Sequence, residues 1–274
     1  MDPVDLFFLL LSGCVGGFLA GMLGIGGGIV YVAIFSIYLE RLGIPDGLMV
    51  PAIVANSMLA ILFSSISGTI KHIRKQNFFP AEILGMGIPA ALFSVIGTRL
   101  IQEGSWYTKE RFTIFFILIL IYTVIRLFLQ RETTGAAKPE KNSTMLNILI
   151  GCAGGLLAAL SGLGGGIVMI PLMTNLLFFS LKKATTISLG VIVVITLVHS
   201  VYSMVTEVGV ALEVPYSIGL ICLPVVLPVS LGSIVCSPLG VATAFKASGK
   251  TLRISFALLI LCVIARMVYS LIQI

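Results

Sequence analysis

The sequence predicts an all-α integral membrane protein made of two inverted structural repeats, and three observations lead there. Hydrophobic residues make up 58% of the 274 and charged residues only 10%, with a mean hydropathy of +1.14; a soluble domain carries about 25% charged residues. Several apolar runs reach or exceed the roughly 20 residues that span a bilayer core. The chain also repeats itself: Gly13-Cys14-Val15-Gly16-Gly17-Phe18-Leu19-Ala20 lines up with Gly151-Cys152-Ala153-Gly154-Gly155-Leu156-Leu157-Ala158, and the register continues without a gap into Gly26-Gly27-Gly28-Ile29-Val30 against Gly164-Gly165-Gly166-Ile167-Val168.

The first apolar segment, Leu6 to Leu39, is interrupted at Gly24-Ile25-Gly26-Gly27-Gly28. No Lys or Arg precedes Arg41, and Asp2 and Asp5 stand where a signal peptide would be basic, so the segment is expected to stay in the mature protein. Three further segments follow, at about Leu48–Ile70, Ala81–Ile101 and Phe112–Leu129. Gln130 to Thr144, with Gly135, Pro139 and several charges, reads as a linker. The predicted organisation is a first membrane repeat over 1–130, a cytoplasmic linker over 131–144 and a second repeat over 145–274. The second repeat opens with Met145–Leu181, broken at Gly162-Leu163-Gly164-Gly165-Gly166, and continues at about Ala184–Val205, Val214–Cys236 and Leu252–Ile274. Its later segments echo the first half: Val54-Ala55-Asn56-Ser57-Met58 resembles Thr185-Thr186-Ile187-Ser188-Leu189, Pro89 and Gly97 match Pro224 and Gly232, and Arg126 matches Arg266.

Charge predicts the topology. A continuous helix from Leu6 to Leu39 would be about 50 Å long, too long for one straight crossing, and the stretch after the glycines is too short to cross unaided. A hairpin that enters, breaks and returns fits better. Each half is then an even excursion plus three crossings, which inverts the second half. With the linker cytoplasmic, inversion places Lys71, Arg74, Lys75, Arg126, Arg131, Lys138, Lys141, Lys182, Lys183, Lys246, Lys250 and Arg253 inside, and only Arg41, Arg99, Lys109, Arg111 and Arg266 outside. A parallel repeat would erase that excess, so the positive-inside rule favours inversion. The loop with Glu207 and Glu213, and both termini, are then outside.

The net charge of +6 comes from basic residues between the apolar runs, so it is not read as a nucleic-acid footprint. The five cysteines lie inside apolar segments without CxxC spacing or a histidine cluster, and no metal site, cofactor or disulfide framework is expected. The apolar segments hold no paired carboxylates, no HExxH and no nucleophile–base pair, so an enzyme is not expected.

The glycine clusters are the first candidates for function. A helix that starts at Gly28 or Gly166 presents unpaired amide N–H groups and a positive dipole end. Glycine lets the chain turn and lets a ligand approach the backbone. Two such ends meeting near mid-depth would bind an anion without a buried lysine or arginine. The predicted substrate-binding set is Gly26, Gly27, Gly28, Asn56, Ser57, Gly164, Gly165, Gly166, Thr186 and Ser188. Ser65 and Thr196 are a further polar pair in the repeat. Gly13, Gly17 and Gly21, with Gly151, Gly155 and Ala159, have the small-xxx-small spacing of close helix packing and are assigned to it. His199 is an ionisable residue within a membrane segment and the candidate for proton coupling; the alternative is an interior histidine with its bonds satisfied.

The GGFLAGMLGIGGGIV and GGLLAALSGLGGGIVMIPL stretches resemble the paired signature of the TauE/SafE family of sulfite-exporter-like permeases. VANSM and TTISL resemble that family's second-helix pattern, although Asn56 replaces the usual hydroxyl residue and Ala33 stands where the second half has Pro171. The resemblance implies a secondary carrier of the bacterial inner membrane for small sulfur-containing anions such as sulfite or an organosulfonate like sulfoacetate. An anion channel and a non-transporting scaffold are the alternatives. The expected partners are that anion and the lipid bilayer, and a homodimer is left open.

Overall fold

Backbone amides cannot hydrogen-bond to lipid tails, so a long apolar run in a membrane must pair its own amides as a helix. The computed structural model describes residues 2–103, 107–129, 139–141, 143–205, 214–245, 257, 260–265 and 267–269. The first half comprises α1 (Pro3–Leu23), α2 (Gly28–Arg41), α3 (Asp46–Arg74), α4 (Pro80–Glu103) and α5 (Lys109–Leu129). The second comprises α6 (Thr144–Ser161), α7 (Gly166–Leu176), α8 (Leu181–Val205), a short hairpin of β1 (Ser217–Ile218) and β2 (Ile221–Cys222), and α9 (Leu223–Ala244). Among the described residues, α1, α3, α4, α6, α8 and α9 are long and apolar enough to cross a membrane.

Most of the linker, the Glu207–Glu213 loop, Lys246, Lys250, Arg253, Arg266 and most of the eighth apolar segment lie outside the described residues. The seventh segment differs from its expected bounds. Val214–Cys236 was expected as one apolar segment, whereas its first nine residues hold the hairpin and the helix runs instead over Leu223–Ala244. Gly219, at φ +57°, makes the turn and Pro224 sits in the first turn of α9, where its missing N–H costs nothing. Pro89, by contrast, lies inside α4, so the Pro89–Pro224 match joins two different local structures.

Both broken segments fold back to the face they entered from. Tyr38 near the end of α2 donates its hydroxyl to Asp5 near the start of α1 at 3.1 Å, and Arg41 pairs with the same carboxylate at 3.7 Å. The amide of Lys141, just ahead of α6, donates to the carbonyl of Leu177, just past α7, at 2.9 Å. The first hairpin therefore opens at one face of the bundle, here the N-terminal face. The second opens at the other, the linker face, where Lys183 pairs with Glu82 and Glu140 at 3.2 and 2.8 Å.

The halves are interlocked. The most extensive helix contacts are α1 on α9 and α6 on α4, each joining one half to the other. Glycine makes the approach close. A β-carbon on Gly13 or Gly21 would overlap the carbonyl of Val229 or Ser237, and one on Gly17 would lie 2.6 Å from the Cα of Ser233. On α6, Gly151 and Gly155 meet the carbonyls of Met86 and Ala90 in the same manner. These glycines pack helices together, as their spacing suggested.

Candidate functional site

The two glycine breaks have the same backbone. Gly24, Gly26 and Gly27 have φ of +72, +84 and +78°, and Gly162, Gly164 and Gly165 have +69, +76 and +80°. Gly24 and Gly162 end α1 and α6 in the left-handed conformation, their amides donating to Ala20 and Ala158 at 2.9 Å. This region is strained for any residue with a β-carbon, which explains the glycines before any ligand is considered. Gly27 and Gly165 then precede α2 and α7, and neither half-helix has a side chain capping its start.

The breaks lie against each other. A β-carbon on Gly28 would come within 2.7 Å of Leu163 Cα and 2.9 Å of the Gly162 carbonyl oxygen. One on Gly166 would meet the Gly24 carbonyl oxygen at 2.8 Å, and Ile25 Cα and Ser188 Oγ at 2.9 Å. The positive start of each half-helix thus sits beside the C-terminal carbonyl of the opposite break, and each dipole is partly compensated there. Ile61 of α3 and Ile192 of α8, both fully buried, press on Gly26 and Gly164 from the middle of their helices, which puts the crossing near mid-depth. All residues from Gly24 to Ile29 and from Ser161 to Ile167 are buried.

The polar candidates divide. Ser188 donates to the Gly24 carbonyl at 2.8 Å, and Ser64 donates to the Gly26 carbonyl at 3.1 Å. Ser57, the repeat partner of Ser188, is fully buried and its hydroxyl has no partner among the described residues. These three hydroxyl residues belong to the same helices that carry Ile61 and Ile192. Asn56 is engaged elsewhere. Its amide nitrogen donates to Ala52 O and Leu220 O at 2.8 and 3.0 Å, and its oxygen accepts from the Cys222 amide at 2.9 Å. It holds the β-hairpin inside the bundle on the N-terminal side of the crossing, with Leu220, Ile221 and Cys222 all buried.

Thr186 is also drawn away, toward the linker face. It contacts His72 Nδ1 at 3.0 Å and accepts from Asn77 Nδ2 at 2.8 Å. His199 lies two turns past Ile192 and packs against α4, its Nδ1 within 3.2 Å of Ser94 Oγ and 3.3 Å of Thr98 Oγ1. The structure therefore brings together the six glycines and Ser188, and buries Ser57 one turn before Ile61 on α3, whereas Asn56, Thr186 and His199 are engaged elsewhere.

Sequence reasoning missed Ile61, Ile192, Ser64 and His72. The isoleucines were findable: each falls four residues after the repeated serine, Ser57 or Ser188. His72 fell among Lys71, Arg74 and Lys75, where a loop was expected, whereas α3 continues through Arg74. Among the described residues no group of three or more His, Cys, Asp or Glu side chains gathers as a metal site would require.

A multi-pass helical bundle, with two broken helices meeting at its centre and an apolar β-hairpin buried on the way to one face, has the architecture of a membrane transporter. The chain belongs to the sulfite exporter TauE/SafE family, whose description matches residues 9–267. It is 31% identical to a probable membrane transporter protein of Methanocaldococcus jannaschii, over 90% of this chain and 89% of that one. A probable membrane transporter protein of Haemophilus influenzae is 27% identical over 94% and 96% of the two chains. The probable membrane transporter protein YunE of Bacillus subtilis is 23% identical over 72% and 78%. No solved structure matches the chain.

Proposed function

We propose that the protein carries a small sulfur-containing anion, sulfite or an organosulfonate such as sulfoacetate, across the cytoplasmic membrane by alternating access. One observation carries this reading: two uncapped half-helix starts, Gly28 and Gly166, meet at mid-depth from hairpins that open at opposite faces. The inverted relation of the halves is part of the reading, and the positions of the Asp5–Arg41 and Lys141–Leu177 contacts support it.

In the closed arrangement each helix start is balanced by the carbonyl of Gly162 or Gly24. An entering anion takes over that role, receiving backbone N–H groups and the dipole ends as those carbonyls withdraw. The Ser57 hydroxyl, buried and without a partner among the described residues, supplies a hydrogen-bond donor. Ile61 and Ile192 part on one side at a time, while the hairpin held by Asn56 closes the N-terminal side. Such a site needs no buried cation, whose desolvation would be costly in the membrane.

Counterflow of labelled sulfite in proteoliposomes tests the reading. A carrier shows saturable exchange accelerated by sulfite on the opposite side, and Ser57→Ala lowers it. A channel conducts without exchange acceleration. Absence of anion counterflow alongside exchange of a neutral or cationic solute would refute the dipole argument.

A further inference from the structure

The linker-face mouth of the bundle holds a group of side chains that the central crossing does not use. Lys75 follows α3, Lys182 lies in the first turn of α8 and Phe245 follows α9. The ammonium nitrogens of Lys75 and Lys182 lie 3.9 and 4.1 Å from the centre of the Phe245 ring. They are therefore at most about 8 Å apart and repel each other. Among the described residues no carboxylate pairs with either, although Lys183 next door is paired with both Glu82 and Glu140. Both lysines are exposed.

Beneath them lies His72, only 4% exposed, its ring 5.8 Å from Phe245. The shorter contacts around it assign its tautomer; Asn77 Nδ2 also lies 3.4 Å from Nδ1, a longer contact than its 2.8 Å bond to Thr186. The Thr186 hydroxyl gives its proton to the Lys182 carbonyl at 2.9 Å and accepts from Asn77 Nδ2. With that proton used, the 3.0 Å contact to His72 has the imidazole Nδ1–H as donor. The neutral ring then offers Nε2 as an acceptor, and Nε2 is buried without a partner among the described residues. A buried acceptor of this kind calls for a donor.

We propose that Lys75, Lys182 and His72 form a second anion site at the linker-face mouth, for an oxyanion that still carries a proton, with Phe245 as a plug the anion displaces. The two lysines take the negative charge and His72 Nε2 accepts the acid O–H. Hydrogensulfite and hydrogenphosphate have both features; a sulfonate has the charge without the O–H. The inference rests on the anion-transport reading and deepens it: the mouth preselects a protonated oxyanion within about two helical turns of Ser188 and the Gly24 break. Thr185, beside Thr186, already touches Gly24.

The test is lysine protection in the purified full chain, read residue by residue by mass spectrometry after amine acetylation. Saturating inorganic phosphate should slow acetylation of Lys75 and Lys182 at least about threefold and leave Lys71 and Lys109 unchanged, a local effect unlike general screening. Methanesulfonate at equal concentration should protect several-fold less, and His72→Phe should narrow that gap to what the difference in charge alone leaves. Equal slowing at all four lysines, or none, overturns the site. So does stronger protection by phosphatidylglycerol, whose phosphodiester has no acid O–H, than by phosphate. Sulfite counterflow is scored separately. Protection without counterflow would leave the mouth site standing and remove the transport reading, and counterflow without protection would do the reverse.

Discussion

Replacing Asn56 with leucine should release the β-hairpin from the interior of the bundle. Asn56 makes two bonds to that hairpin, accepting from the Cys222 amide at 2.9 Å and donating to the Leu220 carbonyl at 3.0 Å. Leucine is similar in size but leaves both backbone groups buried and unpaired. Each costs about 1–3 kcal/mol, so the docked hairpin loses at least about 2 kcal/mol relative to an undocked one. That is a rise of about 30-fold in the undocked population. Cys222 reports it directly, because its side chain is fully buried. In a background with Cys14, Cys152, Cys236 and Cys262 changed to alanine, a membrane-impermeant maleimide should label Cys222 about 30-fold faster in Asn56→Leu. Circular dichroism and size-exclusion profiles should be unchanged. Equal labelling rates in a folded variant would show that Asn56 does not hold the hairpin, and the assignment of the hairpin as the plug of the N-terminal side would fall.

Other substitutions separate packing from binding. Ser57→Ala removes a hydroxyl that makes no bond to the described residues, so thermal stability should hold within about 0.5 kcal/mol while the KM for sulfite counterflow rises. Ser188→Ala leaves the Gly24 carbonyl without its donor and should cost about 1–3 kcal/mol in thermal unfolding as well as activity. Gly27→Leu or Gly165→Leu should fail to yield monodisperse protein. Their φ near +80° disfavours any side chain by about 1–3 kcal/mol, and the β-carbon would overlap the carbonyl of Gly16 or Gly154. Loss of transport in those variants would therefore not identify a ligand contact. Gly21→Val should likewise disrupt the α1–α9 contact, seen as loss of folded protein in detergent.

The helices were legible because hydrocarbon leaves the backbone so few options, and the glycine triplets were legible because few residues other than glycine tolerate that φ. The re-entrant course also followed from length, since eleven residues after Gly28 cannot cross. What the sequence concealed was pairing. Asn56 looked like a ligand because it is an amide in an apolar helix, but its partners, Leu220 and Cys222, are more than 160 residues away. The hairpin itself is apolar and short, so its residues read as the beginning of a membrane helix. Thr186 and Ser188, two apart, point to different neighbours, because residues two apart on a helix do not share a face. Repetition in sequence thus located the crossing, but it did not say which polar side chain served the site and which served the scaffold.

The exchange of partners between halves, α1 with α9 and α6 with α4, also bears on how the molecule is made. Helix α1 is complete long before α9 leaves the ribosome: α9 starts about 220 residues after α1, which is roughly 11–44 s of synthesis. During that interval the glycine ridge of Gly13, Gly17 and Gly21 has no backbone to lie against. The first half must therefore persist in the bilayer as an incomplete structure, sheltered by lipid or by the insertion machinery. Helix α9 does not simply add to a finished bundle; it supplies the surface on which α1 settles.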